Sequence, residues 1–492
     1  MAHDHRSDRA ARRLGPWLLT ASALAALAAF APVAAAQDRN ADASSFEASV
    51  ALIRPTVQPT DPGDVSTDVA PADLLRPIEP DHRLEQDRNA FDDPPAGYDP
   101  RRFRIEPVPR EDRRIREFFE IEPYAPLGWR LGSFILYSEL EVGGGWDSNV
   151  FYQPSARSDW LAGLDSETRL VTDWDNHALE FRVRNGVGFY RDFTDQGDAQ
   201  STYEFRGRLD VLRSTNLEIV AGHDLVREDA NAIDAASLDG TRGDQTVNRL
   251  TVAANHRFNR LSLNLRGGLS DTTYEDDPFA AARNFTQRTL TGRATWSFRP
   301  TLAAFGEVGY DRRDREGPVA SDGLSRSSDG ERVRLGLSFG ETGAILRGEA
   351  SLGYGRQRPD AAALPDAEAF LIDANLAWRI TPLTSLLFTA DTNIDETSVA
   401  GASAAVSRRM GLAVRHAFRR HLIGETGVSY ATQDYVGSAL DEKEIEFRAR
   451  AEYVVDRYWT LFTEARHNWF RSTAPNRDYE ATAVRAGVRV RN

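Results

Sequence analysis

From about residue 131 to its end the chain repeats one pattern, apolar and polar residues alternating singly in short segments over roughly 360 residues. The stretch from Glu442 to Phe470 shows the unit. Ile445, Phe447, Ala449, Ala451 and Tyr453 alternate with Glu444, Glu446, Arg448, Arg450 and Glu452. Period two places the first set on one face of a strand and the second on the other. Val455-Asp456-Arg457 makes a tight turn, and Trp459 opens the next strand. A soluble sheet can alternate in this way when a core covers its apolar face. Here the unit recurs with no helical segments to cover it. The pattern therefore predicts a transmembrane antiparallel up-and-down β-barrel, apolar towards lipid and wet inside.

The N-terminus agrees with that destination. Arg6, Arg9, Arg12 and Arg13 precede an apolar, Ala-rich run from Leu14 to Val33, and Ala34-Ala35-Ala36 supplies small residues for cleavage. Residues 1–36 thus read as a secretory signal peptide. No other window is apolar for the 18 or so residues that a membrane helix needs. The chain has no Cys, which excludes a disulfide framework and a lipid on an N-terminal Cys. Its formal net charge of −14 argues against a nucleic-acid partner. Lys443 is the single lysine, so arginine carries nearly all the positive charge.

Residues 37–123 are rich in Asp, Pro, Arg and Ala without a sustained period, and read as a disordered periplasmic tether. Arg110 to Ile121 can form one short helix with Ile115, Phe118 and Phe119 on a face. Such a segment suits a linker, a plug or a docking peptide for a periplasmic partner. The barrel occupies 124–492. Alternation predicts strands near 133–145, 160–173, 177–190, 200–213, 216–224, 245–258, 260–270, 284–298 and 301–310. A second group falls near 331–340, 343–355, 368–379, 382–391, 405–418, 421–431, 442–455, 457–470 and 478–491. The total is about 18 strands, within a range of 16–20, and an even number suits a single-chain bacterial barrel.

Connections alternate short and long. Short turns fall at Asp175-Asn176, Ser214-Thr215, Asn259-Arg260, Arg299-Pro300, Gly340-Glu341-Thr342, Ile380-Thr381, Arg419-Arg420 and Asp456-Arg457. In barrels of this kind short turns face the periplasm, which would place both barrel ends there. Trp174, Phe258, Phe298, Phe339, Trp378, Phe418 and Trp459 lie within a few residues of these turns. Rings with one wet and one apolar end favour the membrane boundary, so these seven predict a periplasmic aromatic girdle.

The opposite parity names the candidate lumen lining. Glu180, Arg182 and Arg184 share it on one strand, Glu204, Arg206, Arg208 and Asp210 on the next, and Glu444, Glu446, Arg448, Arg450 and Glu452 late in the chain. Such strips serve either as ladders of cross-strand ion pairs or as a field that sorts a charged solute. No catalytic, metal or cofactor site is expected. The nine His are scattered singly, and His223, His416 and His467 have no evident Ser and acid neighbours for acyl transfer. Gly143-Gly144-Gly145 lies at a strand end with no helix after it, so it reads as a kink or close approach rather than a phosphate loop.

The segment Tyr124-Ala125-Pro126-Leu127-Gly128-Trp129-Arg130-Leu131-Gly132-Ser133-Phe134-Ile135-Leu136 leads into a strand that ends Gly145-Trp146-Asp147-Ser148-Asn149-Val150-Phe151. With Ser158-Asp159-Trp160 and Trp174-Asp175-Asn176-His177-Ala178-Leu179, it resembles the opening of the putative beta-barrel porin type 2 family. The resemblance runs to the C-terminus. It implies an outer-membrane barrel of a Gram-negative cell, contact with outer-membrane lipid and the barrel assembly machinery, and a setting beside exopolysaccharide export with its periplasmic partners. It implies no catalytic residues. The chain departs from such barrels in ending Val488-Arg489-Val490-Arg491-Asn492 rather than on the aromatic residue that the assembly machinery reads. The expected function is an outer-membrane channel for passive diffusion or export of polar solute. A structural or adhesive anchor is the alternative, and an outer-membrane enzyme is a more remote one.

Overall fold

The computed structural model describes residue 124 and residues 126–174, 176–227, 243–275, 280–299, 301–319, 322–340 and 345–492. The expected signal peptide, the tether with its short helix, and the turn positions 175, 300, 341 and 342 lie outside these residues, as does most of the connection after Asp224. A short strand β1 (Trp129–Leu131) turns at Gly132, whose φ of +64° suits glycine, and pairs with the start of β2. The wall begins with β2 (Phe134–Asp147), β3 (Asp159–Thr172), β4 (Ala178–Tyr190), β5 (Ala199–Leu212), β6 (Thr215–Arg227), β7 (Asp244–Arg257), β8 (Leu261–Glu275), β9 (Phe285–Arg299) and β10 (Leu302–Arg315). It continues with β11 (Ser328–Phe339), β12 (Leu346–Pro359), β13 (Ala367–Thr381), β14 (Thr384–Asp395), β15 (Ala404–Arg419), β16 (Leu422–Val436), β17 (Asp441–Val454), β18 (Trp459–Ser472) and β19 (Tyr479–Arg491). A single helical turn α1 (Ala280–Arg283) and a 3-10 turn at Thr194–Gln196 sit in connections.

Each strand pairs antiparallel with the next, and β19 pairs back onto β2, so β2–β19 form a closed barrel of eighteen strands. The expected fold class is borne out. Closure runs from Ala483 opposite Asp147 to Arg491 opposite Glu139. Asn492 extends it: its Oδ1 accepts the Ser138 N–H at 2.7 Å, and its own N–H donates to the Ser138 carbonyl at 3.2 Å. The glycines of β2 serve this seam by close approach. A Cβ on Gly143 would stand 2.7 Å from Arg485 Nε, and one on Gly145 would collide with the Val484 carbonyl.

The wall is turned inside out relative to a soluble sheet. Leu335 on the outer face is 68% exposed, whereas Glu141 on the enclosed face is 0% exposed. On β17 the exposed Ile445, Phe447 and Tyr453 alternate with the buried Glu442, Glu444 and Arg450. The seven rings near the short turns share the outer parity, six of them exposed and Phe339 half-buried. A second level of exposed rings lies nearer the long connections: Trp160, Phe189, Tyr310, Tyr354, Phe370, Tyr430 and Trp469. From Phe370 to Trp378, or from Trp459 to Trp469, the levels are about 21–26 Å apart at ~3.4 Å per residue and a ~40° tilt, close to the apolar band of such barrels.

Several strands run further towards the long connections than alternation predicts: β10 reaches Arg315 rather than about 310, and β16 reaches Val436 rather than about 431. Beyond the second ring level the outer parity becomes charged, with Arg288, Arg312, Glu331, Arg356, Glu368, Arg408 and Asp434. The hydrogen-bonded ladder continues there after its apolar signature has stopped.

Candidate functional site

The enclosed wall is the candidate site. Period two brings every proposed lumen residue to it, and most are held in ion pairs along their own strand. Arg182 meets Glu180 at 2.6 Å, Arg206 meets Glu204 at 2.7 Å, and Arg208 meets Asp210 at 2.6 Å. Arg448 meets Glu446 at 3.2 Å and Arg450 meets Glu452 at 3.0 Å. These contacts lie two residues apart, because residues i and i+2 share a face, and cross-strand pairs join them where Arg450 meets Glu464 and Glu452 meets Arg489. Glu444 accepts from Asn468 Nδ2 at 2.9 Å, and Arg184 stands opposite Thr202 in the β4–β5 ladder.

Closure adds a hub that no single strand reveals. Glu141 on β2 receives Arg450 from β17 at 3.0 Å and Arg489 from β19 at 3.0 Å. Arg489 also meets Glu139 at 2.9 Å and Glu452 at 2.8 Å, while Arg450 meets Glu464 at 2.8 Å. Arg466 completes a second pair with Glu464, and Arg485 meets Asp165 on β3 at 2.9 Å. Between them, the Phe462 ring lies 4.6 Å from the Arg450 guanidinium and 5.4 Å from that of Arg485. Glu139, Glu141, Asp165, Glu464, Arg466, Arg485 and Arg489 were missing from the sequence-based set. All carry the same inward parity, so the signal was present in the first and last strands.

The opposite part of the wall carries pairs of its own. Arg293 on β9 reaches Glu349 on β12 at 2.7 Å and stacks over Phe305 at 3.6 Å, and Arg249 meets Asp224 at 2.7 Å. At the end carrying the long connections, loops fasten to one another. Arg313 and Arg315 both grip Glu396, at 2.8 and 2.7 Å. Arg326, fully buried, donates to the carbonyls of Ala402 at 3.0 Å and Val399 at 3.1 Å. Burial pushes the Glu396 carboxyl up, but Arg313 and then Arg315 outweigh it and hold it below the usual carboxylate range. Among the described residues no group of three or more His, Cys, Asp or Glu is placed to hold a metal ion.

A closed eighteen-stranded barrel with an apolar exterior and a charged interior defines a porin-like outer-membrane barrel. The chain belongs to the Putative beta-barrel porin 2 family, whose model matches residues 122–492. None of the curated proteins matches it. Among solved structures it is similar to the copper transporter OprC, with 9% identity over 74% of this chain and 81% of that one, TM-score 0.42. Pseudomonas aeruginosa OccK2 gives 14% identity over 74% of this chain and 99% of that one, TM-score 0.42. The FrpB iron transporter of Neisseria meningitidis gives 10% identity, 69% and 62% coverage, and TM-score 0.42.

Proposed function

We propose that the protein is an outer-membrane channel through which a polar solute diffuses or is exported, with exopolysaccharide as the cargo. The observation that carries this reading is the enclosed wall: eighteen strands surround a face lined by Arg and carboxylates, which needs water. An anchor would be served equally well by an interior of packed apolar side chains. The charged interior supports passage, and the family's setting beside export machinery supports a polysaccharide.

In this reading the lining is formed by Glu180, Arg182, Arg184, Glu204, Arg206, Arg208 and Asp210, with Glu444, Glu446, Arg448, Arg450 and Glu452. The two ring levels mark the two membrane boundaries. The start of β2 and the end of β19 share the rim of the short turns, and we place that rim in the periplasm, within reach of a periplasmic export partner. Conductance across a planar bilayer tests the channel. Stepwise current from the full chain, or from a form lacking residues 37–123, is the expected result. Silence of both forms removes the channel reading and leaves the anchor in its place.

A further inference from the structure

The two rims of the barrel differ in how they hold exposed arginine, although Arg130 at the short-turn rim meets Asp173 at 2.6 Å. At the long-connection rim five guanidiniums, four of them exposed, are matched: the half-buried Arg227 with Asp244 at 3.3 Å, Arg288 with Asp314 at 2.6 Å, Arg358 with Glu331 at 2.8 Å, Arg471 with Glu480 at 2.8 Å, and Arg408 with Asp434. At the short-turn rim Arg213, Arg257, Arg260, Arg299, Arg419 and Arg420 are exposed, and none forms an ion pair among the described residues. A bias of the genome towards arginine explains neither the difference nor its sign, since the chain as a whole carries −14. These six sit on the hairpin turns β5–β6, β7–β8, β9–β10 and β15–β16, three consecutive short turns and a fourth set apart from them by the β11–β12 and β13–β14 hairpins.

Parity says which way Arg257 faces. Arg257, Arg299 and Arg419 are each the immediate neighbour of an outward ring, Phe258, Phe298 or Phe418. Alternation carries Arg257, in an unbroken ladder with β8, to the enclosed side of the wall, towards the opening rather than the lipid, whereas Arg299 and Arg419 stand at register shifts of the β9–β10 and β15–β16 ladders. Unpaired guanidiniums in a concave, low-dielectric mouth attract carboxylate and phosphate groups, raising the local concentration of anions and repelling cations.

We propose that the short-turn rim is an anion-collecting mouth, so that the solutes this channel admits from that side bear carboxylate or phosphate groups. The inference rests on the channel reading above. Its test is a variant of the full chain carrying Arg257→Gln, Arg260→Gln, Arg299→Gln, Arg419→Gln and Arg420→Gln, compared with wild type in a potassium chloride gradient. Wild type should prefer chloride, and the variant's chloride-to-potassium permeability ratio should fall by about two-fold or more at 0.01 M salt, with the difference vanishing near 1 M, where the screening length is about 3 Å.

Polygalacturonate, used as a carboxylated probe, should block wild-type current from one side of the membrane only, and the variant much less. Cation preference in wild type, or block of equal strength from both sides, overturns the proposal. So does a variant that keeps the wild-type ion preference while losing its stability in phosphatidylglycerol bilayers, since the arginines would then serve lipid headgroups. Binding of polygalacturonate to the folded barrel in detergent separates the two readings. A barrel that binds it through these arginines but passes no current refutes the channel and keeps the anion-collecting rim. A barrel that conducts but binds none refutes the mouth alone. Binding seen only after residues 37–123 are deleted assigns the rim to that segment and overturns the proposal as well.

Discussion

Introducing Ala449→Arg tests the inside–outside map at a single position. Ala449 lies opposite Ala465 on β18, six residues from Trp459 in one ring level and four from Trp469 in the other, which puts it near the middle of the apolar band. Its neighbours on the same face are Phe447 and Ala451, with Ala465 opposite. An arginine there faces lipid on every side. At mid-depth such a substitution costs about 2–4 kcal/mol, falling towards ~0–1 where the side chain can snorkel to a boundary. The adjacent Arg448 points the other way and meets Glu446 at 3.2 Å with both side chains about a quarter exposed. Replacing it as Arg448→Gln should cost about 0–1 kcal/mol, as for other partly solvated pairs. Reversible unfolding of both variants in lipid vesicles, followed by tryptophan fluorescence, gives the comparison. Equal costs at the two positions would refute the parity assignment, and with it the identity of the wet face.

Three further outcomes follow from the same geometry. The Glu396 carboxyl lies below its ordinary value, so the stability it contributes is present above the unfolded value near 4.3 and is lost as pH falls through the folded one. Hydrogen exchange in residues 397–403 should therefore accelerate below about pH 4, and Glu396→Gln should abolish that pH dependence while leaving exchange fast throughout. A Gly487→Val change would drive a Cβ into the Val142 carbonyl and against Phe462 at the seam, and should cost about 1–3 kcal/mol in the same unfolding assay; a neutral result would mean that the seam relaxes freely. Removing residues 37–123 should leave a barrel whose gel migration still shifts on heating, and migration as an unfolded chain without heating would make that segment part of the fold.

Much of the wall was legible because one physical rule governs each residue between the ring levels: alternate side chains meet lipid and water. The strands from Phe134 to Arg491 were found on that rule, and it failed where the rule itself lapses. Beyond Tyr310 the outward positions Arg312 and Asp314 meet water on both faces, so β10 lost its period while keeping its hydrogen bonds. Parity likewise placed Arg182 and Arg450 on the enclosed face but could not name their partners. Arg182 turns to a carboxylate on its own strand, whereas Arg450 reaches Glu141, 309 residues away in sequence, which only closure brings near. The buried Arg326 was invisible, since its partners are loop carbonyls without periodicity.

The hub at Glu141 has a consequence for how the barrel is made. Its partners arrive on β17 and β19, so during synthesis the carboxylate waits for nearly the whole chain before it is neutralised. A chain that stops short of β19 has no Arg489 and no partner edge for β2, and leaves both Glu141 and the hydrogen-bonding edge of the first strand open. Such a fragment cannot seal, whatever the quality of its other hairpins. Sealing thus acts as an end-of-chain check: an incomplete product stays open-edged and accessible to proteolysis, while a finished one withdraws its charges and its edges together.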